Sequence, residues 1–191
     1  LSAHKFGGPK GVGALYIRKG APFRPLVTGG SQERGRRAGT ENVPGIIGLG
    51  AALRGLRAAM PGENQRVKDL RDDFEKKVLS TISSVKVNGD RTNRLSNTSN
   101  LAFENVDNEA LLILLDEADV LASSGSACFS GSPEPSHVLK GMGFSEARAK
   151  SSVRFSFGPE NTKEEVDEAV ELLTGFVGRL PLLLQRRTSG R

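Results

Sequence analysis

The residues able to do chemistry in this sequence sit in a few short segments. Cys128 is the single cysteine and stands in a run of small residues, Ser124-Gly125-Ser126-Ala127-Cys128-Phe129-Ser130-Gly131-Ser132. A thiol in such a loop is not packed as a buried hydrophobe. It can attack a sulfur atom and carry it to a second site, or it can be an inert surface cysteine. Lys5 follows His4 and precedes Gly7-Gly8-Pro9-Lys10-Gly11, a loop whose glycines let backbone approach a ligand closely. A lysine becomes a nucleophile toward a carbonyl cofactor only where its pKa is lowered or the carbonyl is held against it; most lysines are simply solvated. Ser2, just before Ala3-His4, can hydrogen-bond an anion. Arg154 lies on the polar side of an alternating stretch. A guanidinium there can grip a carboxylate through two parallel hydrogen bonds, or remain a strand-surface cation.

The segment Gln32-Glu33-Arg34-Gly35-Arg36-Arg37-Ala38-Gly39-Thr40-Glu41-Asn42 combines cations, glycine and hydroxyl. That mixture suits phosphate, although the spacing is not that of a P-loop. Two separated histidines and one cysteine cannot build a closed zinc site, so no metal is expected. His137, in Pro135-Ser136-His137-Val138, reads as structural ahead of catalytic.

The chain is long enough for one domain or one and a half, and its composition is that of a soluble globular protein. No apolar run is long enough to span a membrane, and the first residues carry no signal pattern. With no initiator methionine at Leu1, the chain is expected to begin inside a larger protein. A single cysteine makes no internal disulfide, which fits a reducing compartment. The net charge of +5 is uneven: residues 1–60 hold ten lysines and arginines against Glu33 and Glu41. A solvated basic face and an anionic partner both fit that asymmetry. Nucleic acid is the weakest such partner, because one tyrosine and no tryptophan leave little for bases to stack on.

These segments need elements to hold them. Residues 12–18 read as a short buried strand, 20–44 as loop, and 44–60 as a buried helix weakened by its glycines, ended by Pro61-Gly62. Residues 63–83 carry the clearest helical pattern, with Val67, Leu70, Phe74, Val78 and Ile82 on one face. A strand is expected over 99–104, a helix capped by Asp107 or Asn108 and running to about Ala118, and a second strand over 120–123. A short helix over 135–142 stops at Gly143. In residues 152–157, Val153, Phe155 and Phe157 alternate with Ser152, Arg154 and Ser156. Thr162 and Glu165 form a capping box for a last helix that Pro181 limits. This order predicts a small α/β or α+β layer domain.

Taken together, the segments resemble one family. Ser2-x-His4-Lys5 with Gly8-Pro9-Lys10-Gly11-Val12-Gly13 is similar to the cofactor-lysine segment of cysteine desulfurases of the NifS/IscS type, in the class V aminotransferase family. Gln32-Glu33-Arg34-Gly35 and Arg37-x-Gly39-Thr40-Glu41-Asn42 resemble the segment that follows it. Ser123-Ser124-Gly125-Ser126-Ala127-Cys128, with Ser130-Gly131 and Glu134-Pro135-Ser136-His137-Val138, resembles the catalytic cysteine loop of the long-loop subgroup. Val153-Arg154-Phe155-Ser156 and Asn161-Thr162-x-Glu164-Glu165-Val166-Asp167 resemble the substrate-arginine strand and terminal helix.

The resemblance implies an α/β fold, the C-terminal part of a fold-type I transferase dependent on pyridoxal 5'-phosphate. Residues 1–50 would end the large cofactor-binding domain, 51–180 would form the small C-terminal domain, and 181–191 a disordered tail. Lys5 would bind the cofactor covalently, Ser2 and His4 its phosphate, and Thr40 the phosphate of the neighbouring subunit's cofactor in a homodimer. Arg154 would hold the carboxylate of L-cysteine, and Cys128 would take its sulfur as a persulfide, leaving L-alanine. The persulfide would pass to an iron–sulfur scaffold or tRNA-thiolation protein, in the cytoplasm or mitochondrial matrix. Two departures fall beside the thiol, Phe129 and Pro133, where the family often has a small polar residue and leucine. The family's residues upstream of the lysine are absent from this sequence. The 191-residue chain alone is therefore expected to be inactive and poorly soluble. A non-catalytic dimerisation or sulfur-acceptor-docking module and a selenocysteine lyase are the competing readings.

Overall fold

The computed structural model describes residues 1–125 and 135–188, with side chains up to Leu180. The chain divides into two compact units, Leu1–Gly62 and Glu63–Arg191.

The first unit has little regular structure before its helix. The 3-10 turn η1 (Ala3–Phe6) is followed by α1 (Gln32–Gly35), a single turn in which Glu33 and Arg34 have φ of 51° and 59°. Helix α2 (Val43–Thr81) starts here and runs into the second unit. Residues 12–18 do not form the expected strand. Their one pairing is the bridge between Ser2 and Gly13, and Leu15 and Tyr16 are exposed. An apolar run becomes a strand only beside a second strand that completes its hydrogen bonds, and none lies alongside among the described residues. The helix over 44–60 is present but not buried: Ile46, Ile47 and Met60 all face solvent. Two of its glycines have close neighbours: a Cβ on Gly45 would come within 2.6 Å of the Asn42 side chain, and one on Gly48 within 2.9 Å of the Pro9 ring. Pro61 does not end the helix. The backbone continues without the one hydrogen bond that proline cannot donate, and the break at this point is between packing units.

The second unit is a mixed α/β layer. Strands β1 (Val85–Val87), β2 (Thr98–Phe103) and β3 (Ser152–Ser156) form an antiparallel sheet in the order β1-β2-β3. The register pairs Val85 with Phe103, Leu101 with Val153, Ser99 with Phe155 and Asn100 with Arg154. Leu101, Phe103, Val153 and Phe155 therefore share one face, and Asn100 and Arg154 share the other. Onto the apolar face pack Phe74, Val78 and Ile82 of α2, Leu111 and Leu115 of α3 (Asn108–Asp116), and Val166, Val170, Leu173 and Val177 of α6 (Lys163–Thr188). Each such side chain, fully buried, contributes roughly 1.5–3 kcal/mol. The helical face predicted for 63–83 is thus the face that meets the sheet, with Val67, Phe74, Val78 and Ile82 buried.

Local signals place the helix ends. Asp107 accepts from the Ala110 N–H at 2.9 Å and caps α3. At α6, Thr162 Oγ1 accepts from Glu165 N–H at 3.2 Å while the Glu165 carboxylate accepts from Thr162 N–H at 3.1 Å, the predicted capping box. Short helices α4 (His137–Gly141) and α5 (Glu146–Lys150) precede β3. Helix α6 passes Pro181, expected as its limit, at the loss of one backbone hydrogen bond. Residues 120–123 make no strand: only Ser123 is paired, with Arg154, because the Schellman turn that ends α3 occupies Asp119 and Val120.

Candidate functional site

Ser2, His4 and Lys5 are brought together by one tight knot of backbone. Ala3 is fully buried, its N–H donates to Val12 O at 3.0 Å and its carbonyl accepts from Gly8 N–H at 2.9 Å. Gly7, at φ 80°, reverses the chain after Phe6. The knot has no spare room. A Cβ on Gly8 would lie 2.9 Å from the Ala3 Cβ, and one on Gly13 would lie 2.5 Å from Leu1 O. With Ala3 turned inward, the flanking Ser2, His4 and Lys5 stand exposed.

Thr40 is positioned by a separate piece of the same unit. Ala38 is buried and its N–H donates to Val27 O at 3.1 Å, while Gln32 Oε1 accepts from Gly39 N–H at 3.2 Å. The left-handed Glu33, Arg34 and Gly35 make this turn. Thr40 is exposed, and among the described residues no hydrogen bond joins it to Ser2, His4 or Lys5. No group of three histidine, cysteine or acidic side chains able to hold a metal occurs among the described residues.

In the second unit the candidate residue is Arg154. Its backbone is fixed on both sides, by Asn100 across the ladder and by Ser123 through a reciprocal pair of hydrogen bonds. Its side chain is partly buried, and Nε is buried with no hydrogen-bond partner among the described residues. A guanidinium with a desolvated, unused donor is suited to an oxyanion. Cys128 lies outside the described residues, as do Phe129 and Pro133. Ser123, five residues before Cys128, forms a local turn: its hydroxyl donates to Gly125 O at 2.8 Å.

Ser123 and Asn100 escaped notice as positioning residues, because their partner Arg154 is distant in sequence. Two polar networks that secure the sheet escaped as well. Beneath β2, the buried Glu75 carboxylate accepts from Ser99 Oγ at 2.7 Å and pairs with Arg94. Beside β3, Asn88 donates to Asn100 Oδ1 at 2.6 Å and to Ser152 Oγ at 2.8 Å, and accepts from Arg148 Nε at 2.7 Å. Buried polar groups need such partners, but spacing along the chain does not reveal which they are.

A class V aminotransferase family model matches residues 1–169, and the chain belongs to that family. Its resemblance within the family is to cysteine desulfurases. It is 53% identical to the cysteine desulfurase of Gluconacetobacter diazotrophicus over 94% of this chain and 45% of that protein. Among solved structures, a NifS-like protein superposes with a TM-score of 0.82 at 34% identity, covering 94% of this chain and 46% of that one. SspA in complex with cysteine superposes with a TM-score of 0.61 at 38% identity, over 85% and 44%. The chain thus spans about half the length of the relatives it matches.

Proposed function

We propose that this chain is the C-terminal portion of a cysteine desulfurase dependent on pyridoxal 5'-phosphate. Residues 1–50 would end the cofactor-binding domain and 51–180 form the small domain. The observation that carries the reading is the buried Nε of Arg154, without a hydrogen-bond partner among the described residues and held beside Ser123, five residues ahead of the single cysteine in sequence, in a chain 53% identical to a cysteine desulfurase. The donor set of the first unit fits the cofactor: an exposed amine for its aldehyde, and the hydroxyl and imidazole of Ser2 and His4 for its phosphate, all on or directly before one 3-10 turn. Thr40 supplies a further hydroxyl, assigned to the cofactor of a second subunit.

When bound, the cofactor supplies an electron sink that labilises the C–S bond of the substrate. The protein's own residues do the rest. Arg154 holds the carboxylate of L-cysteine and orients its side chain. The Cys128 thiolate forms a new S–S bond to the substrate sulfur as the C–S bond breaks. The reaction balances as L-cysteine plus Cys128 thiol giving L-alanine plus Cys128 persulfide, with no external oxidant. The persulfide then passes to a thiol of an acceptor protein.

The test uses the full-length protein containing this chain. Expected are cofactor absorbance lost in Lys5→Ala, and alanine and sulfide release from L-cysteine lost in Cys128→Ser with that absorbance intact. Normal sulfur transfer by Cys128→Ser would overturn the reading. Kinetic preference for selenocysteine over cysteine would reassign the substrate.

A further inference from the structure

Four polar residues form one row across the sheet of the second unit: Asn88, Asn100, Arg154 and Ser123. Asn88 N–H donates to Asn100 O at 2.8 Å, Asn100 stands opposite Arg154, and Arg154 bonds to Ser123 in both directions. The backbone polar groups of Arg154 are thus turned toward Ser123, and the Asn100 carbonyl toward Asn88. Asn100 and Arg154 therefore form the kind of antiparallel pair whose side chains come closest, with Cβ atoms about 4.5–5.5 Å apart. Both lie on the face of the sheet turned away from the apolar core.

The hydrogen bonds of this row fix which way the Asn100 amide points. Arg148 of α5 donates to the Val87 carbonyl at 3.1 Å, and its Nε donates to the Asn88 side chain at 2.7 Å. A guanidinium only donates, so Asn88 must turn its oxygen to Arg148 and its nitrogen to the sheet. That nitrogen donates to Ser152 Oγ at 2.8 Å, and Ser152 Oγ gives its own proton to Arg148 O at 2.6 Å. The same nitrogen lies 2.6 Å from the Asn100 side chain, so the atom Asn100 presents to it must be the oxygen. The Asn100 amide nitrogen is left pointing out of the network. It donates to nothing among the described residues, and neither does the Nε of the adjacent Arg154.

We propose that Asn100 is a second donor to the substrate carboxylate gripped by Arg154, and that Arg148, acting through Asn88, is the positioning residue that keeps the Asn100 amide nitrogen outward. An amide free to turn would offer a carboxylate its oxygen as readily as its nitrogen, and the two oxygens would repel. Locked in place, Asn100 offers donors only, and adds one to the site without a second positive charge. It thereby helps to select substrates that carry the carboxylate over amines that lack it. The inference rests on the assignment of the L-cysteine carboxylate to Arg154.

The test uses the full-length holoprotein, with 3-mercaptopropionate as an inhibitor that keeps the carboxylate and cysteamine as one that lacks it. Asn100→Thr keeps a strand-forming residue with an oxygen for Asn88 and loses the amide donor. It is expected to raise KM for L-cysteine and the inhibition constant of 3-mercaptopropionate about tenfold, with that of cysteamine unchanged. Asn100→Ala is expected to do the same, and unchanged cysteamine inhibition shows that the pocket remains folded in both. Arg148→Met, which frees the amide pair to turn, is expected to raise the same two constants by less. In an Arg154→Gln background Asn100→Thr is expected to cost a further threefold or so, because each donor meets the carboxylate itself. Unchanged constants in both Asn100 variants overturn the proposal. So does an equal loss of cysteamine inhibition, which marks a general disturbance of the pocket, or an effect of Asn100→Thr that vanishes in the Arg154→Gln background, which means that Asn100 acts only through Arg154. Unchanged constants in Arg148→Met overturn the role given to Arg148. If Arg154→Gln alone leaves both constants unchanged, the assignment of the carboxylate to Arg154 fails first and this inference falls with it.

Discussion

Arg154 and Ser123 exchange backbone hydrogen bonds in both directions: Arg154 N–H donates to Ser123 O at 2.6 Å, and Ser123 N–H donates to Arg154 O at 3.0 Å. This bridge joins the strand that carries the guanidinium to the start of the segment that carries the thiol. The backbone of Arg154 is therefore held whatever side chain it bears.

Substitution of Arg154 should separate stability from activity. Arg154→Lys keeps the backbone bonds and a positive charge but loses the planar fork. In the full-length protein, kcat/KM for L-cysteine should fall roughly 10- to 100-fold, the worth of about 1.5–3 kcal/mol for hydrogen bonds to a charged group. The denaturation midpoint of the small domain should barely move. Steady-state kinetics alongside urea denaturation measure both.

The knot around Ala3 should be as necessary as the side chains it presents. In Gly8→Ala the new methyl would meet the Ala3 Cβ at 2.9 Å and the Ala3 carbonyl oxygen at 3.0 Å, so the turn must open. Affinity for pyridoxal phosphate in the full-length protein should drop although Ser2, His4 and Lys5 are untouched. Absorbance titration with the cofactor measures the loss.

Asp119→Gly should stabilise the second unit by about 1 kcal/mol, by relieving a left-handed non-glycine residue and removing a carboxylate from a helix C-terminus. Thermal melting monitored by circular dichroism gives the shift.

The capping box of α6 should add an acid-side limit to stability. Hydrogen bonds from the Asn161 side chain and the Thr162 N–H hold the Glu165 carboxyl below its ordinary value. A carboxyl depressed in the folded state stabilises the fold above its unfolded pKa, and that stability is lost as pH falls through the folded value. Glu165→Gln should therefore reduce stability near neutrality and flatten its fall below about pH 4.5. Urea denaturation from pH 3 to pH 7 gives the comparison.

Much of this protein follows from near neighbours in sequence. The face of Val67, Phe74, Val78 and Ile82, the alternation from Ser152 to Phe157, and the Thr162–Glu165 cap are decided within one or two turns, and all are present in the fold. The grouping of Ser2, His4 and Lys5 was equally legible, since Ser2 directly precedes the 3-10 turn that holds His4 and Lys5. Where the sequence misled, the outcome hung on distant partners. Residues 12–18 and 120–123 have the composition of strands, yet hydrogen-bond pairing needs a second chain segment alongside, and each finds only a single bridge. The helix at Pro61 loses one hydrogen bond and continues, a balance that residue type alone does not settle. Only the tertiary structure places Ser123 against Arg154 and leaves the Arg154 Nε buried without a partner among the described residues. Propensity and periodicity act over a few residues, whereas desolvation and charge complementarity depend on which surfaces the packed sheet and helices bring together.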